Sequence, residues 1–214
     1  MERKTDINTY GKYIFVYVIF LVGISGHATA RTLDLMVTLT PYTLFIMGTF
    51  VLYHAVKKNG TPLLLWAAGT YFITFTLEVT GVQTGYIFGG YDYGDVLGLS
   101  LFGVPLIIGY NWVFVILGAA CIAQHYITRA AVFAAITGLL AVLFDAFLEP
   151  VAITLGYWSW DTGYVPLQNY AAWFAISFAA AYALKRFRIP FYTPVAIHYF
   201  IAQGVFFIVL NAAL

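Results

Sequence analysis

Polar and charged positions cluster along this chain. Between the clusters run seven long apolar stretches, at roughly 12–30, 41–57, 61–82, 103–123, 129–149, 168–186 and 194–213. Each comes close to the ~20 residues that a helix needs to cross ~30 Å of hydrocarbon. The runs are continuous and lack the period-two alternation of a lipid-facing barrel. The pattern predicts an all-α integral membrane protein, a seven-transmembrane-helix bundle forming one domain over residues 1–214. Pro41, Pro62, Pro105 and Pro194 fall near segment starts, where proline is tolerated.

Composition agrees. Of 214 residues, 62% are hydrophobic and 9% charged, against about 25% charged in a soluble domain. A net charge of +1 argues against a nucleic-acid partner. The single cysteine, Cys121, has no internal disulfide partner. The opening MERKTDINTYGK and its first apolar run show no small-residue cleavage site, which predicts a retained helix and not a signal peptide. With seven spans, Arg3, Lys4, Lys12, Lys57, Lys58, Arg129, Lys185, Arg186 and Arg188 share one side and only Arg31 takes the other. The positive-inside rule then predicts a cytoplasmic N-terminus and a C-terminus outside.

That layout sorts the acids. Glu2 and Asp6 belong to the N-terminal tail. Asp34, Asp92, Asp95 and Asp161 belong to outer loops or helix ends. Glu78, near the outer end of the third helix, and Asp145 and Glu149, on the fifth, stand in apolar surroundings. The last two, in AVLFDAFLEPVA, are four residues apart and share a helix face. An acid inside a span is costly and usually faces the protein interior or a wet cavity. The alternative is interfacial: all three lie close enough to the outer ends to reach water or cap neighbours. Convergence of three acids from two helices favours a site.

Two outer loops, QTGYIFGGYDYGDVLGLSLFGVP (83–105) and GYWSWDTGYVPLQN (156–169), are rich in glycine and aromatics and have no basic residue. Some of these aromatics suit a headgroup belt. The first loop is long and apolar for a linker in water. It is expected to fold back over a pocket above the three acids, with Trp158 or Trp160 in the wall. His27 falls near the outer end of its helix and can face the site; His54, His125 and His198 fall towards the other side and read as structural. No histidine pairs with carboxylates at zinc-site spacing.

The runs GYIFGGYDYG, LFGVPL with Asn111-Trp112, FDAFLEP, GYWSW, and VPLQN followed by Trp173, in this order from Glu78 to Trp173, resemble the membrane carotenoid-biosynthesis proteins, among them bisanhydrobacterioruberin hydratases and carotenoid 1,2-hydratases. The resemblance implies addition of water across the terminal C=C of an acyclic carotenoid end group. It implies a lipid-soluble carotenoid substrate in a lipid membrane, that of a prokaryotic cell (inner) membrane, and neither a redox cofactor nor a metal. Such chemistry needs a proton donor, a setting that tolerates a tertiary carbocation, and a placed water. A carboxylic acid in apolar surroundings is a suitable donor, an ionised neighbour can stabilise the cation, and aromatic faces attract a cation without capturing it. Asp145 is the expected donor because it lies deeper. Glu149, before Pro150 at the helix end, would orient water, and Glu78 would be the electrostatic partner. Tyr86, Tyr91, Tyr93, Asn111, Trp112, Trp158, Trp160, Asn169 and Trp173 are the expected substrate-binding residues. For Asn111 and Asn169, capping or helix–helix hydrogen bonding is an equal alternative.

Other classes fit less well or equally. A carotenoid cyclase of the lycopene type shares the protonation step, and the acids do not separate it from a hydratase. A retinal-binding rhodopsin needs a lysine in the last helix, and residues 194–214 have none. A membrane prenyltransferase needs clustered aspartates and Mg²⁺, with basic residues alongside. A proton-linked channel or transporter could use intramembrane acids, but the two halves show no duplication.

Overall fold

The structure, a computed structural model, describes residues 7–214. Arg3 and Lys4, used above for orientation, and Glu2 and Asp6 lie outside the described residues. The chain is mostly helical. The helices are α1 (Ile7–His27), α2 (Leu33–Asn59), α3 (Thr61–Thr84), α4 (Leu106–Ala123), α5 (Ala130–Thr154), α6 (Leu167–Arg186) and α7 (Pro194–Ala213). Six of them are long and apolar enough to cross a membrane. The exception is α6. Gln168 and Asn169 at its start and Lys185 and Arg186 at its end dilute its hydropathy.

Two expected boundaries move. Pro41 does not open α2 but sits buried inside it, since the helix starts eight residues earlier at Leu33. Pro150 does not end α5, which continues to Thr154, so Glu149 is inside the helix and not at its end. Proline costs a helix one backbone bond, and membrane helices accommodate it when neighbours satisfy the freed carbonyl. The other prolines behave as starts: Pro62 lies in the first turn of α3, Pro105 directly precedes α4, and Pro194 opens α7. α3 stops where Gly85 takes a left-handed conformation (φ 69°) and returns its N–H to the Gly81 carbonyl.

α4 is the central helix. Nearly all of its residues from Trp112 to Ala123 are buried, and it packs against α3, α5 and α7. Glycine lets the neighbours come close: Gly118 faces Phe200 of α7, and Gly138 of α5 faces Phe174 of α6. Large apolar side chains such as Phe45, Leu65, Phe72 and Leu139 point outwards, as they do when the solvent is lipid. This is an integral membrane architecture. At one end, Lys58 lies over the Tyr192 ring and Lys185 over Phe133 and Phe191. Tyr17 bonds His198 and Tyr192 bonds His125, while His54 packs on Phe50. The other end carries the long connections.

Those connections contain the strands. β1 (Tyr91–Tyr93) is followed by a 3₁₀ turn (Asp95–Leu97) and a small hairpin of β2 (Ser100–Leu101) and β3 (Val104–Pro105); β4 (Trp158–Trp160) follows α5. β1 and β4 pair antiparallel, Tyr91 opposite Trp160 and Tyr93 opposite Trp158. The two aromatic loops are thus one roof.

Candidate active site

The roof is built on a period of two. In Tyr91-Asp92-Tyr93 and Trp158-Ser159-Trp160, alternate side chains point to opposite faces. Asp92 and Ser159 are exposed, while all four aromatics face inwards. The ladder is set by Gly94 N–H to the Tyr157 carbonyl (2.9 Å) and Asp161 N–H to the Gly90 carbonyl (3.0 Å). By alternation, the Tyr–Trp pairs occupy the non-hydrogen-bonded positions, where facing side chains come closest. Tyr91 and Trp160 stand 5.0 Å apart by ring centroids, Tyr93 and Trp158 5.8 Å.

Beneath the roof lies a cavity of about 230 Å³, walled by all six membrane-length helices other than α6, by α6 itself, and by the two loops. Glu78, Asp145 and Glu149 all line it, each no more than 4% exposed. They do not reach bulk water, so the interfacial reading fails. Their partners differ. Glu78 accepts three donors: Tyr91 Oη (2.5 Å) and Tyr93 Oη (2.8 Å) on Oε2, and Trp112 Nε1 (2.7 Å) on Oε1. Glu149 accepts Trp158 Nε1 and Trp160 Nε1 on Oε2, both at 2.9 Å. Asn169 Nδ2, from α6, bridges the helix-five pair, donating to Asp145 Oδ2 (2.7 Å) and Glu149 Oε1 (3.3 Å). Asp145 Oδ1 is buried with no partner.

Charge therefore has unequal support. Three donors can hold a buried carboxylate ionised, whereas an unpaired buried oxygen is costly as an anion and suits a group that carries a proton. Burial, reinforced by the adjacent Glu78 carboxylate, pushes the Tyr91 and Tyr93 hydroxyls up, so both stay protonated as donors. Burial also pushes the Tyr157 hydroxyl up to about 12; it pairs with Thr40 Oγ1 of α2 at 3.1 Å.

Of the expected binding residues, Tyr91, Tyr93, Asn111, Trp112, Trp158, Trp160, Asn169 and Trp173 line the cavity. Tyr86 does not. It is 85% exposed on the outside of the loop, where its carbonyl accepts from Gln168 Nε2. Trp112 and Trp173 stack at 3.7 Å and 21°, presenting a doubled aromatic wall. Asn169 does not cap its helix; it makes the helix–helix hydrogen bonds of the alternative reading, from α6 to the two acids of α5. Asn111 accepts from Gln203 Nε2 of α7 at 3.0 Å.

Gln203 was missed by sequence reasoning, and its apolar helix gives the reason: one amide in VAIHYFIAQGVFF carries no spacing signal. Its Oε1 is buried without a partner. His27 donates Nδ1–H to the Gly23 carbonyl (2.7 Å), which leaves Nε2 as an unpaired acceptor. Both residues border the cavity. Among the described residues, no three His, Cys, Asp or Glu side chains gather as a metal site would require.

Residues 15–210 match the sequence profile of the family described as carotenoid biosynthesis protein. The chain is similar to a bisanhydrobacterioruberin hydratase from Haloarcula japonica, at 30% identity over 202 residues, covering 80% of this chain and 66% of that protein. It thus spans just under two thirds of that relative's length. No solved structure matches. The profile takes in Glu78, Asp145, Glu149, both strands of the roof and the polar residue of α7, so the match covers the cavity as well as the helices, and the chain belongs to the carotenoid biosynthesis protein family.

Proposed function

We propose that this protein is a cofactor-independent carotenoid hydratase, a hydro-lyase that adds water to the terminal C=C of an acyclic carotenoid end group. The observation that carries this reading is the set of three differently supported carboxylates in one aromatic-walled cavity, with Asp145 Oδ1 unpaired. Asp145 gives its proton to the less substituted carbon of the terminal C=C. The π bond breaks, a C–H bond forms, and a tertiary carbocation develops on the neighbouring carbon. The Trp112–Trp173 pair and the roof aromatics offer ring faces to that cation. Glu78 and Glu149, held by fixed donors, supply negative charge without reorganising. Water then forms the C–O bond and releases a proton to Glu149. Passage of one proton between Glu149 and Asp145 restores the pair.

Spare acceptors support capture by water. Gln203 Oε1 and His27 Nε2 are unpaired beside the cavity, and a buried water needs two to four polar partners. In a cyclase the chain's own second alkene would capture the cation. The deciding experiment supplies the purified protein with an acyclic carotenoid in ¹⁸O-labelled water. A labelled tertiary alcohol is expected. A cyclised hydrocarbon would make it a cyclase, and unchanged carotenoid with a folded protein would overturn the assignment.

In this reading the chain is one domain that crosses the membrane seven times, α6 included. Its basic end, with Lys12, Lys57, Lys58, Arg129, Lys185, Arg186 and Arg188, faces the cytoplasm of a prokaryotic cell. The roof and the C-terminus face outwards, and the substrate arrives from the lipid phase.

A further inference from the structure

The proposed substrate is a long, extended polyene, and only its end group has to sit among the acids beneath the roof. The remainder has to leave the cavity through a wall, and the lining shows where. Of all the residues that line the cavity, only two are exposed: Val22 of α1 at 58% and Leu39 of α2 at 40%. They stand on adjacent helices. Every other lining residue is buried or half-buried, including those of the roof. The exposed part of the lining therefore lies to the side, on α1 and α2, and none of it in the roof.

The surroundings of these two residues are apolar. Leu21 and Leu35, next to them on the two helices, are exposed as well. Towards the helix ends the gap is shut by Met36 lying against Gly26; a Cβ on Gly26 would fall 2.5 Å from the Met36 sulphur. Met36 also lines the cavity, and an unbranched thioether can shift to fit a passing chain.

We propose that the gap between Val22 and Leu39 is a lateral binding slot for the tail of a long, unbranched-in-outline polyene, which lies there with its end group among the acids and the rest in lipid. The proposal rests on the hydratase reading for the identity of the end group. It makes Val22 and Leu39 determinants of chain length, separate from the acids that act on the end.

Two measurements test it. Val22→Trp and Leu39→Trp fill the slot. Turnover of a full-length acyclic carotenoid should fall about tenfold or more in kcat/KM. Turnover of a short acyclic terpene with the same terminal alkene should hardly change. Equal losses on both substrates, or none on the long one, would overturn the slot. The second measurement does not need turnover. A photoreactive phenylalanine analogue placed at position 22 or 39 should crosslink to a carotenoid supplied at one equivalent in detergent; the same group at the exposed α3 positions Leu65 and Phe72 should not. Equal crosslinking at all four would overturn the slot. Crosslinking confined to 22 and 39 without any hydrated product would keep the slot and reject the hydratase.

Discussion

Asp145 and Glu149 illustrate how two acids on one helix face acquire different surroundings. Glu149 has two indole donors and a distant amide; Asp145 has the near amide and one empty oxygen. Asp145→Asn keeps shape and still accepts from Asn169, but it has no acidic proton. Turnover should drop by about 10⁴-fold, the upper end for a general acid, with the thermal melt unchanged. Glu149→Gln should cost less, about 10²-fold, since in the proposed mechanism it removes the proton acceptor and leaves the donor. Product formation by purified variants measures both, and near-wild-type turnover by both would remove the pair from the chemistry. Glu78 can be probed through stability. Glu78→Ala strands two tyrosine hydroxyls and an indole N–H in a buried site. At ~1–3 kcal/mol for each orphaned donor, the melting temperature should fall sharply. Glu78→Gln should fall far less, because its amide oxygen can take Trp112 while the hydroxyls turn to accept. Similar melts for the two variants would show that the three donors find water instead.

At the scale of elements, the roof is the part that a linear reading undervalues. Tyr-Asp-Tyr and Trp-Ser-Trp are each alternating triplets, and each alone is too short to read as a strand. Paired across 64 intervening positions, they aim four aromatic side chains at two acids. Ser159 is exposed and touches nothing in the cavity, so Ser159→Pro tests the pairing alone. Proline removes the central N–H of a three-residue strand. Displacing the two indoles by about 1 Å should reduce turnover about 10²-fold, with the helical circular dichroism intact. Unchanged turnover would mean that the roof holds its aromatics without the ladder. Sequence did show that both loops were odd, through their glycines, aromatics and missing basic residues. It also put Tyr86 in the site with its neighbours. Tyr86 belongs to the turn just after the Gly85 cap, before the strand period begins, and so it faces away.

For the whole molecule, cohesion between helices does not come from a general hydrophobic force, because lipid is as apolar as leucine. It comes from close fit, and α4 shows the tolerance. A Cβ on Gly118 would stand 2.5 Å from the Phe200 Cβ and 2.8 Å from the Ala196 carbonyl oxygen, both near the rigid backbone of α7. Gly118→Val should therefore lower stability by about 1–3 kcal/mol, read as a reduced melting temperature in detergent, whereas Gly204→Ala, with open space at that position, should not. If both melt alike, the α4–α7 contact is looser than its geometry.

What the sequence determined by itself was everything that follows from solvent and period. Long apolar runs force helices, because a membrane leaves no other partner for the backbone. Three acids in such runs mark an interior site, because their cost must be met by something. Helix spacing places Asp145 and Glu149 on one face. The tertiary structure decided what no spacing encodes. Pro41 and Pro150 stay inside helices that run on past them, and α6 is held by contact with α5 and not by hydropathy. The donors that distinguish Glu78, Glu149 and Asp145 come from α4, α6 and two separate loops. Which oxygen is left unpaired, and which part of the lining is exposed, depends on how those distant segments meet, since a hydrogen bond is fixed by distance and angle in space and not by separation along the chain.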